Sequence, residues 1–415
     1  MSKSPVEVWL WLLLVMEPYN PKTHFILEEC GGDASEAARR IRDGKYDFLS
    51  DAQKKNAESV RMKDVREVME LCEKNRVRII TLNDEEYPPL LRGIENPPIV
   101  LFCAGSLKGL NNSITLSVVG ARSISDYGLM VTSRVLEPLV KLGVVIISGI
   151  AVGADAAAHS VCLRNHGRTV AVLGCGILVN YPAENAALKR EIIANGGAIV
   201  SELMPMAKPS AHYFHTRNRI IAGLSLGTLV TEAGSRSGSL LTANHALAQE
   251  RDVFCVPPHD LFSSKCNGVV PLLREGAKAV YNFTDILDSF SMYFSNTQYV
   301  RDFVADIERR EFKRKTPRKP IAKMPENIAQ DPDAEITENV KKSEKTPHTE
   351  LAEELLSSLE PIEAELLKAL AESPAKVDKL VETLGKSVDE LTEALTNLEI
   401  AGYIARGADG DYVLE

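Results

Sequence analysis

In FHTRNRIIAGLS (residues 214–225), Arg217, Asn218 and Arg219 run directly into the apolar Ile220, Ile221 and Ala222. Cations at the lip of an apolar segment are costly unless paired or hydrogen-bonded, so the cluster either ties loops together or holds an anion. Three other stretches carry compatible chemistry. In VVGARSISDYG (118–128), Gly120 permits a tight turn, Arg122 offers a guanidinium at a strand end, and Ser125 opens a helix. Backbone N–H groups at a helix N-terminus beside an arginine make an anion site. In TEAGSRSGSLLTANHA (231–246), Ser237, Gly238, Ser239 and Thr242 supply hydroxyls and N–H groups at a helix start. That chemistry cradles phosphate, and helix capping by Ser237 or Ser239 is part of it. In SGIAVGADAAAHS (148–160), Ser148, Gly149 and Gly153 form a glycine-rich strand-to-helix connection. It has neither the lysine of a P-loop nor the Gly-x-Gly-x-x-Gly dinucleotide spacing. Asp155 and His159 stand four apart on one helix face, as a cap and a packed imidazole or, more sharply, as a general-acid pair. Lys208, ahead of the first stretch, joins the candidate phosphate contacts.

Other chemistries are excluded. The seven cysteines are scattered with no Cys-x-x-Cys pair, which argues against zinc and against a disulfide framework and fits a reducing, cytoplasmic compartment. No His/Cys cluster has metal spacing and no Gly-x-Ser-x-Gly elbow occurs, so neither a metal nor a cofactor is expected. Serine-rich loops without a base favour binding over nucleophilic catalysis. The apolar run Val8–Met16 is too short to span a bilayer and reads as a core helix.

These loops need a scaffold, and the 415 residues supply two or three domains. Residues 1–80 read as short helices, followed by proline-punctuated loops and an extended run at Ile99–Cys103. Between 113 and 285, strand-like runs at Thr115–Val119, Val144–Ile147, Thr169–Leu173, Ala198–Val200, Thr228–Val230 and Val253–Val256 alternate with helical stretches at 126–142, 153–165, 184–195 and 238–249. Continuous apolar strands separated by helices predict a parallel sheet covered on both faces. All four motif stretches then read as loops along the edge where strands end, the usual place for a ligand. Residues 291–352 are Lys-, Glu- and Pro-rich, including the basic RREFKRKTPRK (309–319), and read as a flexible charged linker. Helical patterns at 361–371, 376–384 and 387–399 precede two short strands around an Asp-Gly turn, which predicts a winged helix at 353–415. Charge divides unevenly: the chain carries −9, residues 111–285 carry +3 and residues 350–415 carry −11. The middle therefore tolerates a phosphate-binding surface while the C-terminal segment repels one.

In combination, VVGARSISDYG, SGIAVGADAAAH, VAVLGCGILVNYPAEN, IVSELMP, RNRIIAGLS, TEAGSRSGSLLTANHAL and RDVFCVPP…NGVVPLLREGA resemble the DNA-processing protein A (DprA/Smf) family, in family order over roughly residues 85–282. The N-terminal helices resemble that family's sterile-alpha-motif-like domain, and the C-terminal segment its winged-helix extension. The resemblance implies an extended Rossmann-like fold at 81–290 that binds single-stranded DNA and loads the RecA recombinase during natural transformation, dimerising through the Rossmann domain. It carries the DNA-contacting role onto Arg122, Arg217, Arg219, Ser237, Gly238, Ser239 and Thr242. There are departures: His215 and Pro258 stand where the family usually has proline and glycine, and Ala154 where it has isoleucine or valine. The loop at 256–266 should therefore be shaped differently.

The leading expectation is a non-catalytic single-strand binder. Two rivals compete with it. A phosphoribohydrolase-like enzyme would use Glu232 near GSRSGS, although its Pro-Gly-Gly-x-Gly-Thr-x-x-Glu motif is missing. A winged-helix transcription regulator would need a recognition helix that instead carries Asp389, Glu390, Glu393 and Glu399 with no basic residue. Of the two arginines in Arg-Asn-Arg, Arg217 is expected to point outward to phosphate and Arg219, beside the Ile220–Ile221 pair, to brace the loops with Asn218.

Overall fold

The computed structural model describes residues 4–294, 297–314, 361–373, 375–401, 403–406 and 411–414. The chain divides into two units, 1–314 and 315–415.

The larger unit is organised by one sheet in the order β1-β2-β6-β5-β4-β3-β7-β8-β9. Its parallel heart comprises β3 (Thr115–Val119), β4 (Val145–Ser148), β5 (Thr169–Val172), β6 (Ala198–Ser201), β7 (Gly227–Val230), β8 (Asp252–Cys255) and the short β9 (Lys278–Ala279). Every residue of β3 to β7 is buried, as a sheet covered on both faces requires. On one face, residues of α7 (Asp126–Lys141), α8 (Ala154–Arg164) and α13 (Thr284–Phe290) pack around Leu116, Ile146 and Phe254. On the other, α10 (Ala211–Gly223), α11 (Ser239–Ala248) and α12 (Val269–Arg274) pack around Val119, Ile147 and Val230. The chain steps from β3 through β4 and β5 to β6 on one side, then returns to place β7 and β8 on the other side of β3. That reversal makes the carboxyl ends of β3 and β7 the topological switch point, where a crevice opens in such sheets.

The sheet reaches further than expected. β2 (Val100–Gly105) pairs antiparallel with β6, and β1 (Arg78–Thr81) pairs antiparallel with β2. The helical N-terminal segment therefore ends before residue 78. It consists of α1 (Val6–Met16), α2 (Pro21–Glu29), α3 (Ala34–Arg42), α4 (Asp51–Ser59) and α5 (Met62–Lys74). Both tryptophans, Trp9 and Trp11, lie on α1 and are buried in a core shared with Val100 and Phe102 of β2. Each such side chain contributes roughly 1.5–3 kcal/mol by leaving water.

Two expectations are corrected here. The stretch around Arg-Asn-Arg is no loop: residues 211–223 form α10, capped by Ser210, whose hydroxyl accepts from Tyr213 N at 3.3 Å. Its buried residues run consecutively from Arg217 to Gly223 and begin with three polar ones, so no periodic apolar stripe betrays it. The linker expected from residue 291 begins instead with α14 (Thr297–Arg314), whose Val300, Val304 and Ile307 pack against the α7/α13 core. The remainder of that linker, and residues 315–319 of the basic run, lie outside the described residues.

The second unit has α15 (Pro361–Glu372), α16 (Val377–Leu384), α17 (Val388–Ala401) and the antiparallel pair β10 (Ile404–Arg406) and β11 (Tyr412–Leu414). Leu366, Leu370, Leu380, Leu391, Leu395 and Ile404 build its core. Ser387 and Glu390 cap α17 reciprocally, Ser387 N donating to Glu390 Oε2 at 3.1 Å and Glu390 N to Ser387 Oγ at 3.3 Å. The Asp-Gly turn at 409–410 lies outside the described residues.

Candidate anion-binding crevice

Four connections meet at the carboxyl edge of the sheet, and they are stitched together by backbone. Ala121 N donates to Glu232 O at 2.7 Å, and Ala154 N donates to Ala121 O at 3.0 Å. The loops after β3, β4 and β7 thus hold one another. A side chain at Gly149 would collide with Asp155 Oδ2 and the Arg217 guanidinium, so only glycine lets these groups converge there.

Glu232 carries much of this order. Its Oε2 accepts from Ser125 Oγ at 2.6 Å and from Ser125 N at 3.2 Å, at the start of α7. Ser125 Oγ in turn accepts from Gly128 N at 3.0 Å. An internal carboxylate already satisfies the N-terminus of α7, which its dipole favours. The anion cradle expected there is therefore filled by the protein itself.

α10 spends its three buried polar residues, Arg217, Asn218 and Arg219, in three directions, as successive residues about 100° apart must. Arg217 is 9% exposed, with Nη1 donating to Val172 O at the end of β5 and Nε to Asn218 Oδ1 at 3.2 Å. It faces Asp155, whose Oδ2 accepts from Ile150 N and Ala151 N, both at 3.2 Å. Burial pushes the Asp155 carboxyl up, with Arg217 opposing, and pushes Arg217 down, with Asp155 opposing. Asn218 Nδ2 donates to Gly238 O at 3.3 Å, joining α10 to the loop before α11. Arg219 is 3% exposed and pairs through Nη2 with Glu202 Oε1 at 2.6 Å. The same carboxylate oxygen accepts from Tyr19 N at 3.3 Å, and the Arg219 guanidinium lies 4.8 Å from the Tyr19 ring. Arg219 is a brace between sheet and N-terminal helices. Arg217, expected to point outward, is a brace as well.

Ser148, Gly149, Ser239 and Thr242 are also buried rather than presented. Ser148 Oγ donates to Val118 O at 2.6 Å, tying β4 to β3. His159, four residues after Asp155, is fully buried with Nδ1 2.7 Å from Thr169 Oγ1. Thr169 Oγ1 itself donates to Ile146 O at 2.7 Å, so His159 supplies the proton between them. Burial lowers its pKa to about 4, which keeps it neutral and makes the pair a packing arrangement.

What remains at the surface is a shorter set. Arg122 and Lys208 are exposed, Gly238 is exposed, and Ser237 is half-buried with its hydroxyl 2.7 Å from Ser239 Oγ. Sequence reasoning missed Tyr181, whose half-exposed ring lies 5.6 Å from Phe214, with Phe214 in turn 5.9 Å from the Arg217 guanidinium. It also missed Asn185, whose Nδ2 donates to Ile150 O at 2.7 Å and so pins the β4 loop. Both lie in NYPAEN, quoted as a motif but given no role, because the Tyr-Pro turn brings them to the edge from outside the strands. No group of three or more metal-ligating side chains clusters among the described residues, and none of their helices is long and apolar enough to cross a membrane.

A Rossmann-like α/β protein whose strand-end loops meet at its switch point, with Arg122 exposed there, is the class these features define. Within it, the model of the family described as DNA recombination-mediator protein A matches residues 78–291, and that of the DprA winged helix domain matches residues 350–410. The chain belongs to the DNA recombination-mediator protein A family. Protein Smf of Escherichia coli is 32% identical over 98% of this chain and 95% of its own length. The DNA processing protein DprA of Streptococcus pneumoniae is 40% identical over 50% of this chain and 72% of its own. The X-ray structure of DNA processing protein A from the same species superposes with a TM-score of 0.60 at 30% identity, covering 69% of this chain and 98% of that one. A recombination-mediator role in DNA processing follows from this membership.

Proposed function

We propose that the chain binds single-stranded DNA along the carboxyl edge of its sheet, protects it and delivers it to a RecA-type recombinase, in natural transformation where the host takes up DNA. The observation that carries this reading is the position of Arg122, exposed in the loop after β3 at the switch point, with the exposed Lys208 on the connection that leaves the carboxyl end of β6. Cations on a polar edge with few aromatic rings bind phosphates more than bases, which favours weak sequence preference and steep salt dependence. The protein acts as a homodimer through its Rossmann-like domain, in the cytoplasm, and without catalysis. Support for the last point is that Glu232, Asp155 and His159 are each engaged in holding the edge together. The acidic winged helix is a protein-binding or regulatory module, since −11 on residues 350–415 repels a phosphate backbone.

The test is affinity for single and double strands across a salt series, with RecA filament formation as the functional readout. Preference for the single strand and faster filament nucleation are expected; equal affinity for duplex, or no effect on RecA, would sink the reading. Release of free base from nucleoside monophosphates would favour the hydrolase instead.

A further inference from the structure

The loop between β8 and α12 departs from the rest of the edge. Phe262 is 96% exposed and its neighbour Leu261 64% exposed. Phe262 is nonetheless held by a built loop: its N–H donates to Asp260 Oδ1 at 2.9 Å, and Cys266 Sγ donates to Asp260 O at 3.0 Å. The loop is fastened to the crevice from two sides. Gly268 N donates to Ala233 O at 2.9 Å, and the His259 ring lies 5.0 Å from Tyr127, in the first turn of α7 behind Arg122. β8 is the neighbour of β7, and adjacent strands lie about 4.8 Å apart. The loop that carries the exposed ring therefore leaves the carboxyl edge one strand beyond β7, on the same edge as Arg122.

We infer that Phe262 is a stacking platform for an unpaired base of the bound strand, a subsite that rests on the single-strand reading above. A polynucleotide held by its phosphates at Arg122 presents bases to whatever lies alongside, and every base has a π-face that an aromatic ring accepts. The rival occupant is a second copy of this chain. A phenylalanine buries at most about 250 Å², and Asp260, Ser263, Ser264 and Lys265 surround it with polar groups. A stable protein interface needs about 800 Å² from each partner. A single base fits that footprint and a protein partner does not.

The full chain tests this through Phe262→Ala and Phe262→Trp, each titrated with an oligo-thymidine strand and with an abasic strand of equal length. Phe262→Ala weakens oligo-thymidine binding about five- to tenfold, leaves abasic binding unchanged and preserves the salt slope. Because Trp9 and Trp11 are both buried, Phe262→Trp adds a solvent-exposed emitter, and oligo-thymidine quenches it while the abasic strand does not. Equal losses on both strands, or undiminished oligo-thymidine binding with no quenching, overturns the subsite. A concentration-dependent blue shift of that emission without DNA assigns the ring to self-association and overturns it as well. Failure of the unaltered protein to bind either strand removes the single-strand reading itself, a result distinct from all of these.

Discussion

Arg217 and Arg122 are the same residue type at the same edge of one sheet, and their surroundings are opposite. Arg217 is sealed beneath the loops, donating to Val172 O and Asn218 and facing Asp155. Arg122 stands exposed at the end of β3. Arg219 sits deeper still, spent on Glu202 and the N-terminal helices. The difference separates two tasks that a motif merges: α10 sets the shape of the crevice, while the loop after β3 provides its charge. Substitutions should divide accordingly, with stability lost on one side and affinity on the other.

The largest effect falls on the Arg219–Glu202 pair. Arg219→Ala leaves Glu202 buried without its cation, and breaking a buried pair from one side costs about 3–5 kcal/mol. Chemical denaturation of the full chain, followed through the buried tryptophans of α1, should show an earlier transition. Replacing both partners with apolar residues of similar volume should recover much of the loss. An unchanged midpoint in the single variant would mean that the pair does not brace the domains.

Next comes acid sensitivity. His159 is held near pKa 4 in the folded chain against about 6.5 unfolded, so the unfolded state binds the proton more readily. Its contribution to stability is intact above about pH 6.5 and declines as pH falls towards 4, by about 3 kcal/mol in all. The raised pKa of Asp155 acts in the opposite sense, stabilising the fold as pH falls. The two are separated by comparing midpoints at pH 7.5 and 5 in the natural chain and in His159→Gln. The variant should show the shallower loss on acidification; parallel curves would assign the sensitivity elsewhere.

Arg217→Ala is smaller. It leaves Val172 O and Asn218 Oδ1 without their donor and the Asp155 carboxyl without its facing cation, at about 1–3 kcal/mol, and Asp155 relieves part of that by taking up a proton. Single-strand affinity should fall only as far as folding does, and should return at temperatures where the variant is fully folded. A loss of binding in a fully folded Arg217→Ala would restore it as a phosphate contact.

Much of this architecture is legible in the sequence, for identifiable reasons. The strands at Thr115–Val119, Thr169–Val172 and Gly227–Val230 announce themselves because both faces are buried and every position can be apolar. The helices of the winged helix follow from stripes ending in Leu391, Leu395 and Leu398. α10 is hidden for the converse reason: its buried residues include two arginines and an asparagine, which read as surface until their partners are known. Residue type and spacing find the crevice; they do not say which way a side chain turns. Glu232 illustrates the limit, a carboxylate that invites catalysis on paper and caps α7 in the fold. Asn185 and Tyr181 reach the edge through a connection that sequence periodicity does not describe.

The smallest expected effect on stability is the most informative about function. Arg122 is exposed and outside the core, so Arg122→Ala should leave the denaturation midpoint within about 0.5 kcal/mol of the natural chain. Its effect should appear in DNA affinity alone. A cation that neutralises one phosphate of a single strand contributes about 0.7 to the slope of log affinity against log salt. Arg122→Ala should therefore flatten that slope by about that amount and weaken binding most at low salt. Arg122→Lys, which keeps the charge but loses the planar fork, should restore the slope and only part of the affinity. The folded Arg217→Ala protein should keep the natural slope throughout. If both variants flatten the slope equally, the division between shaping and charging the crevice fails. If neither does, the strand runs elsewhere on the molecule, and the exposed loop after β3 is not its path.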